Sequence, residues 1–385
     1  MIDRAAAADL LQRLVRIPSV NPRGDNAPAE SEIASFVRGW MEMQGIPARL
    51  EEVLPGRPNV IATLEGVDTS RELLLEAHLD TVEVAGMLED PFSGRIDGSR
   101  LYGRGACDTK GSLASFMLAI ADLQKRGIKP PVSVTLAGTM DEEHLFRGVN
   151  QLIKSRGPFF AAIVGEPTDL ALVVAHKGMV RYQVSTLGKA AHSSTPWEGD
   201  NAIERMAEVI GFIKRELEPE TGQKRHPLVG PATLCISLIR GGTAINVVPE
   251  HCTIDIDRRT LPGEDPEAVW NEHKARLESF MPGHLVVEEP LLLDPAMETD
   301  QNSPIVRALA DEVRKAGREA RIAGVNYGTD GSKIALQGTD TVVFGPGSIQ
   351  QAHSALEYIE LDEVVEAAKI VAGLLERFDG VASLP

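Results

Sequence analysis

Short apolar segments that alternate with helical segments constrain the fold of this chain more than any other feature. Four apolar runs bounded by turn residues predict buried strands, at residues 59–65, 72–78, 132–138 and 159–165. Residues 29–44 and 111–127 repeat apolar side chains at helical spacing, and Gly127 is placed to end the second helix. Strands that alternate with helices form a mostly parallel sheet covered on both faces. The sequence therefore predicts an α/β fold.

The pattern changes in the middle of the chain, where apolar and polar residues alternate along the strands. This is typical of a sheet with one exposed face. The predicted elements are strands at 180–188, 233–239, 252–259 and 284–289, helices at about 200–217 and 266–281, and a loop at 218–231. Their order is βαββαβ, as in ferredoxin-like domains.

The first pattern resumes after this middle region. Helices are predicted near 303–317 and 362–378, with a strand at 341–345. We therefore expect a larger domain formed by residues 1–177 and 291–385, interrupted by a smaller α+β domain formed by residues 178–290.

Charge and cysteine content narrow the class of protein. The net charge of −17 argues against nucleic acid or an anionic membrane as a partner. It is compatible with cationic small molecules, although solubility alone also explains it. The three cysteines Cys107, Cys235 and Cys252 do not form a disulfide framework, which suggests a reducing compartment. Residues 1–17 lack the apolar core of a signal peptide and no run is long enough to span a membrane, so we expect a cytoplasmic protein.

Five short motifs place histidine or carboxylate side chains where apolar runs end. Their candidate residues are His78 and Asp80 in HLD, Asp108 in GRGACDTKG, Glu142 and Glu143 in DEE, Glu166 in GEPT, and His353 in GPGSIQQAH. In an open α/β sheet, ligands bind at the carboxyl ends of the strands. We therefore expect these side chains to meet at one edge of the sheet.

Each motif alone also permits a structural interpretation. HLD could be a buried histidine beside an unrelated aspartate, and the paired glutamates could form a solvated acidic turn. The glycines of GRGACDTKG could surround a phosphate, but their spacing matches neither GxxxxGK[ST] nor GxGxxG. Cys107 is interpreted as a buried filler, and the side chain of His144 is expected to point elsewhere. The five motifs together favour a metal site.

These residues divide into two sets of three nitrogen and oxygen ligands. The first set is His78, Asp108 and Glu166, and the second is Asp108, Glu143 and His353. One carboxylate can serve both ions because each of its oxygens can bind one of them. Ligands of this kind without cysteine suit zinc, cobalt or manganese.

Two further residues have supporting roles in this interpretation. Asp80 would accept the second ring N–H of His78 and so fix the tautomer of the imidazole. Adjacent carboxylates repel each other unless a cation or a proton lies between them. One of Glu142 and Glu143 would therefore be a ligand and the other a general base.

At these motifs the chain resembles the M20 metallopeptidase family, and within it the branch of acetylornithine deacetylases and succinyl-diaminopimelate desuccinylases. The HxD, GRGxxDxKG, EE, GEPT and GPGxxxxAH motifs match in order and spacing over essentially the full length. The resemblance implies an amidohydrolase with two divalent metal ions, usually zinc and often active with cobalt. It also implies that Glu142 is the general base and Glu143 the ligand.

Motifs of the middle region resemble the same family. They are GKAAHSSTPWEGDNAI with His192, RGGTAINVVP with Asn246, DRRTLP with Asp257 and Arg259, and GTDGSKIA with Gly328 and Thr329. The resemblance implies that Arg259 and Asn246 hold a substrate carboxylate and that Gly328 and Thr329 line the substrate pocket. It further implies a homodimer formed through the smaller domain, whose His192 stabilises the oxyanion in the partner's active site. The smaller domain would then be a lid and dimerisation domain.

The expected activity is removal of an N-acyl group from a small amino acid. N-acetylornithine, and with it arginine biosynthesis, is favoured because HKG at 176–178 and HSSTP at 192–196 look closer to acetylornithine deacetylases than to desuccinylases. The alternatives are a succinyl-diaminopimelate desuccinylase, and a dipeptidase or general aminoacylase. A non-catalytic metal-binding scaffold is an alternative from another class, and it would need the ligands but no general base.

Overall fold

The computed structural model describes residues 2–23 and 29–380, which form two compact units. Unit 1 comprises Met1–Val174, Thr299–Ala323 and Thr329–Pro385. Unit 2 comprises Ala175–Glu298 and Gly324–Gly328. In the described ranges, we find no helix with the length and apolar character needed to cross a membrane.

A nine-stranded sheet is the main sheet of the fold. Its strand order is Ala48–Leu54, Arg57–Leu64, Val132–Thr139, Asp68–His78, Ala161–Val164, Thr341–Val343, Leu172–His176 and Met297–Glu298, with Ile322–Val325 also paired to Leu172–His176. The four middle strands, from Val132–Thr139 to Thr341–Val343, are mutually parallel. The predicted α/β class is therefore confirmed.

The outer strands of this sheet are antiparallel to their neighbours. The sequence did not predict this direction. A buried strand is apolar whichever way its neighbour runs, so the apolar runs predict its burial but not its orientation.

Seven helices are described in unit 1. They are Arg4–Val15, Ser31–Met43, Lys110–Arg126, Arg147–Arg156, Pro304–Lys315, Gly331–Ala335 and Leu361–Arg377. The helix Lys110–Arg126 is buried along nearly its whole length, and Gly127 ends it in the left-handed conformation, with φ of 68°. Gly127 thus has the predicted role, because only glycine adopts this conformation without steric cost. A small second sheet joins Arg95–Asp97, Arg100–Tyr102 and Tyr358–Glu360.

Unit 2 contains an antiparallel sheet. Its strand order is Thr233–Gly241, His251–Thr260, Gly178–Leu187 and Leu285–Val287, with Leu292–Asp294 also paired to Gly178–Leu187. The α-helices are Ala202–Phe212, Glu218–Gln223 and Pro266–Phe280. With the first two helices counted as one, because a π-helical turn connects them, the elements follow the order βαββαβ, and Leu292–Asp294 adds a strand at the end. Two short pairs, Ala191–His192 with Val247–Val248 and Arg225–His226 with Gly230–Pro231, complete the described strands.

One predicted boundary in unit 2 is wrong. The helix that begins at Ala202 does not end before 218, because a π-helical turn, Ile213–Leu217, connects it to Glu218–Gln223. Thr221 in this last turn is buried. Pro219 favours the first turn of a helix as much as it favours a loop. The predicted loop at 218–231 therefore begins only after Gln223.

Candidate metal centre

The parallel register of the main sheet brings the first candidate residues together. His78 ends the strand Asp68–His78, which lies between Val132–Thr139 and Ala161–Val164. The Glu142–Glu143 pair follows one neighbouring strand and Glu166 follows the other. His78 Nε2 lies 3.9 Å from Glu166 Oε1. The carboxyl edge of the sheet thus gathers these side chains, as the sequence predicted.

Asp108 reaches the same place from a different kind of element. It lies in a tight loop just before the buried helix Lys110–Arg126, and not at the end of a central strand, so this part of the prediction is wrong. Gly105 in the loop has φ of 83°, and a Cβ atom there would lie 2.8 Å from Thr81 Cγ2. The glycine therefore permits a close backbone approach that a larger residue would prevent. The Asp108–Thr109 peptide bond is cis.

The two oxygens of Asp108 face two different histidines. Oδ1 lies 3.0 Å from His78 Nε2, and Oδ2 lies 3.3 Å from His353 Nε2. His353 Nε2 in turn lies 3.2 Å from Glu143 Oε1. One carboxylate therefore stands between two imidazoles, with one oxygen facing each, which is the arrangement needed to bridge two metal ions.

Three groups of side chains in the described part of the chain could hold a metal ion. In each group, one ligand atom per residue lies within 4.8 Å of the others. The groups are His78, Asp108 and Glu166; Asp108, Glu143 and His353; and His78, Glu142 and Glu143. The first two are the predicted ligand sets and share Asp108. His144 belongs to none of the three groups.

The carboxylates of this cluster outnumber its histidines, so negative charge exceeds positive charge there. Burial raises the pKa values of Glu142 and Glu166 well above the usual range, and neighbouring carboxylates contribute to this rise. Hydrogen bonds to Asp108 and Glu143 raise the pKa of His353 to about 10. Burial and mutual repulsion thus favour the protonated forms of Glu142 and Glu166, while Asp108 and Glu143 favour the charged form of His353. Divalent cations would supply the missing charge, and the nitrogen and oxygen donors suit zinc, cobalt or manganese. The residues therefore fit a site for two metal ions.

The side chain of Asp80 bonds to the backbone of Glu142 and Glu143, which the sequence analysis did not predict. His78 Nδ1 lies 3.0 Å from the backbone oxygen of Asp80 and 3.6 Å from its carboxylate. The two carboxylate oxygens instead accept the backbone N–H groups of Glu142 and Glu143, each at 3.1 Å. Asp80 therefore contacts His78 chiefly through its main chain and the glutamate pair through its side chain.

The remaining predicted site residues are divided between the two units. His192, Asn246, Arg259 and Gly328 belong to unit 2, and Thr329 belongs to unit 1. His192 and Asn246 are both exposed. They lie near each other, because Ser193 N, next to His192, donates to Asn246 O at 3.0 Å. Arg259 forms a two-point contact with Asp257, at 2.7 and 3.3 Å.

Two residues that support the metal centre were missed by the sequence analysis. Glu357 is buried, and one of its oxygens accepts the backbone N–H groups of Cys107 and Asp108, at 2.9 and 3.1 Å. Asn21 is buried and donates to Asp80 at 2.8 Å. In the sequence, Asn21 and Glu357 are polar residues close to apolar ones, and this does not indicate which distant residue each of them contacts.

The fold and this site define a metal-dependent hydrolase. The profile of the peptidase family M20/M25/M40 matches residues 74–377. The chain belongs to this M20 family, and it is accordingly a metal-dependent amide hydrolase.

Comparison with individual proteins agrees with this assignment. An acetylornithine deacetylase of Photorhabdus laumondii is 31% identical over 384 residues, which cover 96% of each chain. The crystal structure of a Staphylococcus aureus tripeptidase has a TM-score of 0.81 at 23% identity and covers 98% of each chain. A dinuclear metal-binding M20 peptidase of Bacillus subtilis has a TM-score of 0.73 at 16% identity and covers 98% of this chain and 99% of its own. These two structures establish the fold, and the sequence relative carries the closer resemblance.

Proposed function

We propose that this protein removes the acyl group from N-acetylornithine or a closely similar N-acyl amino acid. The observation that carries the proposal is the position of Asp108 between His78 and His353, with Glu142 beside the same cluster. The identity of 31% to a protein named acetylornithine deacetylase supports the choice of substrate. The free cysteines, Cys107 and Cys252 being buried and Cys235 exposed, support a cytoplasmic location.

The proposed ligand sets are those that the geometry of the centre favours. His78, Asp108 and Glu166 would hold one metal ion, and Asp108, Glu143 and His353 the other. Zinc is the proposed metal, with cobalt as a functional substitute. Two such ions would polarise an amide carbonyl and lower the pKa of a water molecule to near 7.

Glu142 is the proposed general base. It lies in the same group as His78 and Glu143 but is not needed in either of the ligand sets built on Asp108. It would accept a proton from the attacking water and deliver it to the leaving amine. A scaffold that only bound metal would need no such residue. Glu142 therefore favours an enzyme over the non-catalytic alternative.

The proposal also assigns roles to the two domains. Residues 1–177 and 291–385 would form the catalytic domain, and residues 178–290 the lid and dimerisation domain. Arg259 and Asn246 would hold the substrate carboxylate, and Gly328 and Thr329 would line the substrate pocket. A guanidinium group has five N–H donors, so the contact with Asp257 leaves donors on Arg259 for a substrate.

His192 is the proposed donor to the oxyanion in the partner's active site of a homodimer. Its Nδ1 lies 3.2 Å from the backbone N–H donor of Ser194 and 2.7 Å from Ser194 Oγ. When Nδ1 accepts from both groups, the neutral ring carries its proton on Nε2. The Nε2–H group of the exposed side chain can then donate to a developing negative charge.

Mixed dimers test whether His192 acts on the partner. His192→Ala and Glu142→Ala are each expected to be nearly inactive alone. In a mixed dimer, one site combines an intact Glu142 with the intact His192 of the other chain. Random reassortment of equal amounts should restore roughly a quarter of the wild-type sites, because half of the dimers are mixed and half of their sites are complete. Verified mixed dimers without any recovery would show that His192 does not act across the dimer.

A substrate panel tests the proposed specificity. We expect kcat/KM to be higher for N-acetylornithine than for N-succinyl-diaminopimelate, N-acetylmethionine and a dipeptide, measured with zinc and with cobalt. The net charge of −17 disfavours N-succinyl-diaminopimelate, which carries three carboxylates and one ammonium, relative to N-acetylornithine, whose single ammonium balances its single carboxylate. A higher kcat/KM for the succinyl substrate would identify a desuccinylase and leave the proposed mechanism unchanged. A higher value for the dipeptide would identify a dipeptidase.

A further inference from the structure

A buried series of hydrogen bonds reaches the Glu142–Glu143 pair from outside the ligand sets. It connects Glu30, Arg57, Asp141, Asn21 and Asp80, whose side chains are all buried in unit 1. Arg57 forms a two-point ion pair with Glu30 and lies 3.4 Å from Asp141. None of these five residues is among the proposed metal ligands.

The last residue of the series fixes the main chain of the glutamate pair. The two oxygens of Asp80 each accept one backbone N–H, from Glu142 and from Glu143, at 3.1 Å. The two peptide groups therefore depend on the position and rotation of the Asp80 carboxylate. Since Glu142 is the proposed base and Glu143 a proposed ligand, this carboxylate holds the backbone from which both side chains extend.

Asn21 fixes the Asp80 carboxylate in its turn. Its amide nitrogen donates one N–H to Asp80 Oδ2 at 2.8 Å and the other to Asp141 Oδ1 at 2.9 Å. Its own oxygen accepts the backbone N–H of Arg23 at 2.8 Å. A neutral amide thus stands between two buried carboxylates that would otherwise repel each other.

The carboxylate of Asp141, the other acceptor for Asn21, is held in place by two arginines. Arg147 donates to both of its oxygens, at 2.6 and 3.2 Å, and Arg57 approaches from the buried side. The backbone of Asp141 has φ of 68°, in the left-handed region, which is uncommon for non-glycine residues but is adopted by aspartate more readily than by most. The residue directly before Glu142 is therefore held by its side chain, and Asn21 couples it to Asp80.

We propose that Asn21 is a positioning residue for amide hydrolysis. By donating to Asp80 and Asp141 together, it holds the Asp80 carboxylate, which accepts the N–H groups of Glu142 and Glu143, and ties it to the residue directly before Glu142. This inference rests on the proposed function of Glu142 as the general base. Asn21, which is 120 positions from Asp141 in the sequence, would thus contribute to the orientation of the general base.

The substitution Asn21→Asp separates positioning from packing, because it keeps the size of the side chain and replaces the N–H donors with an acceptor. Three carboxylates would then converge, so we expect kcat to fall ~10–100-fold, as for other residues that orient catalytic groups. The fall should be at least as large as that of Asn21→Ala, and KM should change little. If Asn21 only fills space, Asn21→Asp should instead be close to wild type and Asn21→Ala the worse variant.

Amide hydrogen exchange at residues 140–146 provides a measurement that does not depend on activity. In the metal-loaded full chain, the amides of Glu142 and Glu143 should exchange faster in Asn21→Asp and in Asn21→Ala than in the wild type. Asn59→Asp is the matched control, since Asn59 is also buried but its amide bonds to the backbone of Met140 and Gly148 and not to Asp80 or Asp141. Unchanged exchange at Glu142 and Glu143 in both Asn21 variants, or an equal loss of kcat in Asn59→Asp, would overturn the proposal. A failure of Glu142 as the base would appear separately, in the kinetics of Glu142→Gln.

Discussion

Glu142→Gln is expected to lower kcat by ~10²–10⁴-fold, the range for loss of a general base, while metal content and substrate affinity stay close to wild type. Glutamine preserves the shape of the side chain and the backbone contact with Asp80 at 3.1 Å. It cannot accept the proton of the attacking water. The measurement is kcat and KM on N-acetylornithine together with the metal content of each preparation.

Glu143→Gln and His144→Gln are the matched controls for this prediction. Glu143 is a proposed ligand 3.2 Å from His353, so its substitution should lower metal content as well as activity. His144 belongs to none of the three groups that could hold a metal, so His144→Gln should leave both close to wild type. If Glu142→Gln lost a metal ion and Glu143→Gln did not, the two roles would be exchanged.

Asp108→Ala is expected to abolish both metal binding and activity. Asp108 is the only residue present in both proposed ligand sets, and its two oxygens face the histidines of the two sets at 3.0 and 3.3 Å. Its removal leaves two ligands in each set and removes the negative charge that lies between the two histidines. Glu166→Ala is the control, because Glu166 belongs to one set only and its loss should spare the other ion.

The sequence predicted which side chains meet better than it predicted the elements that carry them. His78 and Glu166 come directly after apolar runs, and a parallel sheet brings the ends of such runs to one edge, so the pattern predicted their proximity. Asp108 was selected from its glycine-rich motif, but it lies in a loop before a helix. The reason is that glycines indicate a close backbone approach without indicating whether a strand or a helix comes after the turn.

The supporting hydrogen bonds could not be predicted from one sequence. Asn21 contacts Asp80 and Asp141 across 59 and 120 positions, and Glu357 contacts Asp108 across 249. Local periodicity carries no information on such pairs. The same limit applies to the antiparallel outer strands and to the contact between Asp80 and the Glu142–Glu143 backbone, all of which depend on the assembled sheet.

The most direct test of the two-metal site is a metal titration of the chelated enzyme, with Asp108→Ala measured in parallel. The wild-type chain should lose its activity with the chelator and regain it as zinc or cobalt returns, and metal analysis should then show both proposed sites filled. Asp108→Ala should bind neither ion and remain inactive. Full activity in the metal-free wild type, or full occupancy of both sites in Asp108→Ala, would contradict the bridging role of Asp108 and with it the proposed mechanism.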